Sequence, residues 1–295
     1  MMQDLTDKVA VVTGAATGMG RSIALALAGE GAHVVVADID LAEAEKVRDE
    51  IRALGRRSIA VHTDVADEAS VGRLADASYA EFGRTDILVN NAGVTLRPYR
   101  AVWDTSHADY RWVFSINIMG VVNGTLAFVP RMRAQAGEKH IVNTSSMGTL
   151  VKVPGHSAYN ASKAAVNAFS DTIREELEPD GFTVTILFPG YVKTRIGTSE
   201  RLRPEGDRSD NRTITPFSEV AARNVAQGYA ANTDIAGAVT LKDAGEIARG
   251  IEADGVGAMV VRALRNKEPY CSTHPTPAEG MRKHSEQLIR SYLEA

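Results

Sequence analysis

The chain has 295 residues, 44% of them hydrophobic and 24% charged, a globular composition long enough for one large domain or two small ones. A formal charge of −4 gives no electrostatic case for nucleic acid or an acidic membrane, and the single cysteine, Cys271, excludes an internal disulfide framework and suits a reducing compartment. No cationic stretch followed by an apolar one opens the sequence and no apolar run approaches the roughly 20 residues of a membrane span, so neither signal peptide nor membrane anchor is expected and the cytoplasm is the default.

Residues 9–12 form a β-branched apolar run that leads into Thr13-Gly14-Ala15-Ala16-Thr17-Gly18-Met19-Gly20, and a helical pattern follows over 21–28. Strand, glycine turn and helix make a dinucleotide-binding entry, in which backbone N–H groups at a helix N-terminus meet a pyrophosphate. A second apolar run at 34–37 ends in Asp38. An acid at that strand end accepts hydrogen bonds from a ribose 2′-hydroxyl and repels a 2′-phosphate, which predicts NAD rather than NADP.

The alternation then continues. Residues 41–54 read as an amphipathic helix, 58–63 as a strand ending at Asp64-Val65, 71–82 as a helix, and 86–89 as a buried strand leading into Asn90-Asn91-Ala92-Gly93. Strand-end loops of an open parallel sheet line the ligand crevice, so that tetrapeptide is expected there. A long apolar-striped helix over 109–132 contains Asn117, and a strand at 141–145 delivers Ser146. A helix over 157–178 carries Tyr159 and Lys163, and a strand at 183–188 ends in Pro189-Gly190-Tyr191-Val192-Lys193-Thr194. The pattern predicts one α/β domain, a doubly wound parallel sheet of Rossmann type.

Tyr159 and Lys163 are four apart on one helical face, so an ammonium can sit beside the phenol. A free phenol titrates near 10, and bringing it to neutrality takes roughly 3 units, about 4 kcal/mol, which one cation and a bound cationic cofactor could supply. A tyrosine so tuned exchanges a proton with an alcohol or ketone, with Ser146 as a second hydrogen-bonding group on the substrate oxygen.

Taken together, the glycine loop, Asp38, Asp64, Asn90-Asn91-Ala92-Gly93, Asn117, Ser146, Tyr159, Lys163 and Pro189-Gly190 resemble the short-chain dehydrogenase/reductase family over residues 5 to about 200. The resemblance implies Tyr159 as general acid/base, Ser146 as the substrate-orienting group, Lys163 as the residue that lowers the tyrosine pKa and binds the nicotinamide ribose, and Asn117 as the holder of a relay water. It implies a cofactor site of Gly14, Thr17, Gly18, Met19, Gly20, Asp38, Asp64, Val65, Asn91, Ala92, Gly93, Tyr159, Lys163, Pro189, Gly190, Val192 and Thr194. Homodimers or homotetramers are implied through the helices at 109–132 and 157–178.

After residue 195 the chain departs from the family, whose Asp-Gly-Gly ending is absent. A polar, aperiodic stretch begins at Thr194, and residues 194–254 read as a substrate lid or insertion with short helices of low intrinsic stability. A helical stripe resumes at Val256, Val260, Ala263 and Leu264, residues 270–273 read as a final strand, and Thr276-Pro277-Ala278-Glu279 starts a helix to about 293. His274, beside a proline, reads as structural, and the seven histidines show no metal-ligand spacing. Asp109 with Trp112, Gly120 with Gly124, residues 128–132, Ile196 with residues 201–204, and residues 273–275 resemble a bacterial subgroup that includes Cα-dehydrogenases acting on benzylic alcohols of lignin-type aryl ethers. The expectation is therefore an NAD-dependent oxidation of a bulky, hydrophobic secondary alcohol to its ketone, in an apolar pocket of Val94, Leu150, Val153, Tyr191 and Ile196. The alternatives are a carbonyl reductase for a steroid-type or terpene-type ketone and a non-catalytic NAD-binding regulator.

Overall fold

The run Val9–Thr13 is buried along its whole length and forms β1 inside a seven-stranded sheet. The computed structural model describes residues 4–150, 154–205 and 250–274, with isolated positions between 215 and 223 and between 281 and 293. Strands β2 (His33–Asp38), β3 (Ser58–His62), β4 (Ile87–Asn90), β5 (Lys139–Thr144) and β6 (Phe182–Phe188) join β1 in the sheet. Two short strands follow, β7 (Val192–Lys193) and β8 (Ile251–Glu252), and then β9 (Tyr270–Ser272). The order is β3-β2-β1-β4-β5-β6-β9, all parallel, so the winding reverses between β1 and β4. In such sheets the ligand crevice lies beyond the carboxyl ends of the strands at that reversal, which here are Thr13 and Asn90.

Successive side chains of a strand point to opposite faces, and each face is roofed with helices. Ala10, Val12, Val34, Val36, Ile87 and Val89 pack with α1 (Gly18–Gly29), α2 (Leu41–Ala53) and α7 (Asp254–Asn266). On the other face Val11, Val35, Leu88, Ile141 and Val184 pack with α3 (Glu68–Phe82), α5 (Met119–Arg133) and α6 (Ser157–Leu177). The chain is thus the expected single doubly wound α/β domain.

Three features differ from the sequence reading. The helix expected over 109–132 is two helices, α4 (His107–Asn117) and α5, separated at Ile118 (φ −109°, ψ −48°), so Asn117 ends a helix instead of lying within one. Together they span His107–Arg133, which is long and apolar enough to cross a membrane; the expectation that no apolar run approaches that length is corrected here, although more than half of the apolar window is buried within the protein. Strands β7 and β8, which no pattern signalled, pair as a two-stranded clasp, β7 just before the expected insertion and β8 near its end. Of that insertion, residues 206–214, 216–218, 221 and 224–249 lie outside the described residues, as does most of the helix expected over 276–293.

Candidate active site

The glycine loop crosses the end of β1 in left-handed backbone at Gly14 (φ 63°) and Gly18 (φ 57°), and α1 begins at Gly18. Among the described residues no side chain caps that N-terminus, Thr17 included, so its first N–H groups stay available to an anion. A Cβ on Gly20 would lie 2.0 Å from the Gly14 carbonyl oxygen, so only glycine lets helix and loop approach this closely. Asn91 locks the loop from the neighbouring strand end, its Nδ2 donating to the carbonyls of Thr13 (3.0 Å) and Gly14 (3.2 Å). Thr13 Oγ1 accepts from the N–H groups of Asn91 and Ala92, a tie that the motif contained without revealing it.

Asp38 stands at the end of β2, where one carboxylate oxygen accepts from the Ala16 N–H at 2.9 Å and the other from the Asp40 N–H at 3.0 Å. Burial, its largest influence, raises the carboxyl above the ordinary carboxylate value against those two N–H groups. Asp64 turns the chain after β3 by accepting from the Ala66 N–H at 2.9 Å. Val65 follows, buried, its carbonyl accepting from Asn123 Nδ2 and its side chain resting on Gly120, where any Cβ would come within 2.8 Å. The two glycines of the α4–α5 region noted in the sequence therefore serve close approach of α5 to the crevice floor: a Cβ on Gly124 would meet Asn90 Oδ1 at 2.3 Å. Across the crevice the Thr194 side chain covers Gly18, whose added Cβ would lie 2.9 Å from Thr194 Cγ2. Met19 and the buried Val192 pack into the core on the α1 face. These residues fit a dinucleotide: open helix N–H groups for a pyrophosphate, and an acid at the ribose position.

The chemical groups meet at the ends of β4 and β5. Asn117 is fully buried, its Oδ1 accepting from the Val94 N–H (2.8 Å) and its Nδ2 donating to the Val94 carbonyl (3.0 Å) and Ser162 Oγ (3.0 Å). Lys163 is buried and donates to the Thr144 carbonyl at 2.8 Å. A Cβ on Gly93 would lie 3.3 Å from both Asn117 Oδ1 and Lys163 Nζ, which shows how tightly the three converge. Ser146 opens the turn after β5, its Oγ accepting from the Gly148 N–H at 3.0 Å.

Burial raises the Tyr159 phenol above its ordinary value, opposed by a hydrogen bond shared with Ser146 and by the charge of Arg97. Lys163, one turn further along α6, directs its Nζ to the Thr144 carbonyl at the end of β5. Burial brings the Lys163 ammonium itself down to about 8, which leaves it charged near neutrality.

Four of the five residues expected to line the substrate pocket fall among the described residues. Val94 is buried with Leu96, Trp112 and Ala158, whereas Leu150 packs with Met147, Ile186 and Phe188 in a separate cluster. Tyr191 is half exposed, its ring lying against Gly250, and Ile196 is partly exposed. Val153 lies outside the described residues. His274 packs beside the Pro189-Gly190 turn: its Nδ1 pairs with Thr273 Oγ1 at 2.7 Å and its ring fills the space over Gly190. The turn at Pro189 is held by the Met147 N–H, which donates to the Pro189 carbonyl at 2.9 Å.

A buried ion cluster, spread too widely in sequence to be foreseen, fastens the start of the insertion to the site. The 3-10 helix Arg195–Leu202 brings Glu200 and the following Arg203 to Arg100 and Asp109. Asp109 accepts from Arg203 at 2.6 Å, from Arg100 at 3.0 Å and from the Ser106 N–H at 2.8 Å, while Glu200 accepts from Arg100 at 3.1 Å. Burial pushes the Asp109 carboxyl up, but the Ser106 N–H and the two guanidiniums outweigh it and hold the group below its ordinary value. The Arg203 guanidinium also covers Trp112 at 5.1 Å, and Ser199 Oγ accepts from the Thr95 N–H at 3.3 Å.

Comparison with known proteins agrees with this geometry. The family model described as short chain dehydrogenase matches residues 8–205. A "C alpha-dehydrogenase" from Sphingobium sp. is 30% identical over 98% of this chain and 88% of its own length. Among solved structures, a short chain dehydrogenase/reductase from Burkholderia phymatum in complex with NAD superposes with a TM-score of 0.83 at 33% identity, covering 98% of this chain and 97% of its own. The apo form of LigD from Sphingobium sp. gives a TM-score of 0.75 at 26% identity over 98% of both chains.

Proposed function

The chain belongs to the short chain dehydrogenase family and is an oxidoreductase, and from that premise we propose that it oxidises a bulky, benzylic secondary alcohol to the ketone with NAD. The observation that carries this reading is the gathering of Ser146, Tyr159, Lys163 and Asn117 at the strand ends beside an uncapped glycine loop and Asp38. NAD is supported by Asp38, which disfavours a 2′-phosphate, and by the NAD complex of the similar Burkholderia protein. The benzylic class is supported by likeness to the C alpha-dehydrogenase along nearly the whole chain.

When bound, NAD supplies the hydride acceptor and a positively charged ring. The first N–H groups of α1 would hold its pyrophosphate, and Asp38 its adenosine ribose. Tyr159 takes the proton of the alcohol while Ser146 holds the same oxygen. Lys163 keeps positive charge beneath the site and, through the Thr144 carbonyl, a fixed position. Asn117, its amide pinned by Val94 and Ser162, positions the end of the proton path. Residues 194–254 act as the lid, with the part at 195–203 anchored by the ion cluster rather than swinging. The exposed Met119 and Leu126 of α5 suit a homodimeric or homotetrameric contact, in a cytoplasmic setting.

The test is NAD reduction, followed at the nicotinamide absorbance band, across benzylic, steroid, terpene and simple aliphatic secondary alcohols. Turnover concentrated among the benzylic members is expected. Silence from all of them beside a strong response elsewhere would overturn the substrate class.

A further inference from the structure

Beside Tyr159 stands a group of side chains that proton transfer does not use. The Arg97 guanidinium sits over the Tyr99 ring, 3.7 Å from its centroid. Tyr99 meets His156 edge-on at 3.8 Å, and His156 lies 5.4 Å from the Tyr159 ring. A wall of rings thus begins at a cation and ends at the phenol that exchanges the proton.

The cation is unusual for its surroundings. Arg100 and Arg203, a few residues away in space, each have a carboxylate partner, whereas Arg97 is half-buried with no carboxylate at ion-pair distance among the described residues. Stacking on Tyr99 holds the guanidinium in place and leaves its donor fork open. Its charge is felt along the wall: burial raises the Tyr99 and Tyr159 phenols and Arg97 pulls both back. Burial and Arg97 together bring the His156 imidazole down to about 4, so that ring is neutral at physiological pH and contributes no charge of its own. A planar, pre-positioned guanidinium without an acid partner matches a carboxylate, which can accept two parallel N–H bonds from it. Tyr99 and His156 supply flat apolar surface between that point and the reacting oxygen.

We infer that Arg97 anchors a carboxylate carried by the alcohol substrate, at the far end of an aromatic wall of Tyr99 and His156. The substrate class narrows accordingly, from bulky benzylic alcohols to those bearing an acid remote from the carbinol carbon. This rests on the dehydrogenase reading only for the identity of the other end of the substrate; the anion site itself is a binding claim.

The experiment pairs two secondary alcohols, a para-carboxylated phenyl ethanol and its para-methyl counterpart, and measures kcat/KM for each with NAD. In parallel, calorimetry measures benzoate binding to the protein in the presence of NAD. The wild type should favour the carboxylated alcohol, and the preference should weaken with added salt. Arg97→Met should cut the ratio of the two kcat/KM values roughly 10- to 100-fold, mainly through KM, and weaken benzoate binding by a similar factor, the loss expected for a charge-assisted hydrogen bond. Arg97→Lys, the gentler substitution, should keep part of both. An unchanged ratio or unchanged benzoate affinity in Arg97→Met, or a wild-type preference that ignores salt, would overturn the inference. If neither alcohol is oxidised while Arg97→Met still abolishes benzoate binding, the anion site stands and the dehydrogenase reading falls.

Discussion

Replacing Asp109 by asparagine should destabilise the fold and loosen the wall of the site together. Asp109 is fully buried and accepts from Arg203, Arg100 and the Ser106 N–H. The neutral amide retains the shape and one acceptor, but removes one of the two carboxylates, Asp109 and Glu200, that face the buried Arg100 and Arg203 guanidiniums among the described residues. Removing one partner of a buried ion pair costs about 3–5 kcal/mol, and the retained acceptor argues for the lower end, about 3 kcal/mol. Against a total stability of about 5–15 kcal/mol this is a large fraction, and at roughly 2–4 °C per kcal/mol it corresponds to a fall in Tm of about 6–12 °C. Thermal unfolding followed by near-ultraviolet circular dichroism is the assay, because Trp112 lies under Arg203 and reports on the cluster directly. Glu138→Gln provides the control: its pair with Lys267 is 37% and 43% exposed and should be worth less than about 1 kcal/mol. A fall in Tm for Asp109→Asn no larger than the control's would refute the claim that this cluster holds residues 195–203 in place.

Three further outcomes follow from other parts of the structure. Asp38→Ala should lower the ratio of kcat/KM with NAD to that with NADP by about tenfold or more, in initial-rate measurements, through loss of both the hydroxyl acceptor and the repulsion of a 2′-phosphate; an unchanged ratio would remove Asp38 from cofactor selection. Gly20→Ala brings a Cβ to 2.0 Å from the Gly14 backbone oxygen, so dinucleotide binding titrated by fluorescence should be lost, and an affinity near that of the wild type would contradict the account of the loop. His140, fully buried against Thr185 Oγ1 at 2.8 Å, has its imidazole pushed by burial from 6.5 to about 3. The folded chain therefore binds fewer protons than the unfolded one across that window, and the stability is complete above 6.5 and lost as pH falls toward 3, about 5 kcal/mol in all. Urea midpoints should fall less steeply with acid in His140→Gln than in the wild type, and identical slopes would show that His140 does not set the acid limb.

Where a sequence pattern is local, it predicted the structure well. The alternating apolar runs announced six of the seven sheet strands through their β-branched content, and the seventh, β9, through a short run after the α7 stripe. The glycine loop was legible because its spacing answers to a local need, the close approach of Gly20 to Gly14. What escaped notice depends on distance. Strands of two residues, such as β7 and β8, have no period to read. The break at Ile118 left the apolar stripe running through it. Arg100, Asp109, Glu200 and Arg203 meet only after folding, and nothing near any of them in sequence announces the others. The Tyr159 and Lys163 spacing correctly put both on α6, whereas the Thr144 carbonyl that holds the lysine and the Arg97 and Tyr99 side chains beyond His156 come from distant parts of the chain.

In the proposed mechanism Tyr159 is the group that exchanges the proton. Its most direct test is Tyr159→Phe, measured for alcohol oxidation and for NAD binding on the same preparation. General acid/base catalysis contributes about 10²–10⁴-fold, so kcat should fall by that factor while NAD binding stays within a few-fold of the wild type. Turnover within about tenfold of the wild type would contradict the central claim and move the proton chemistry to another group.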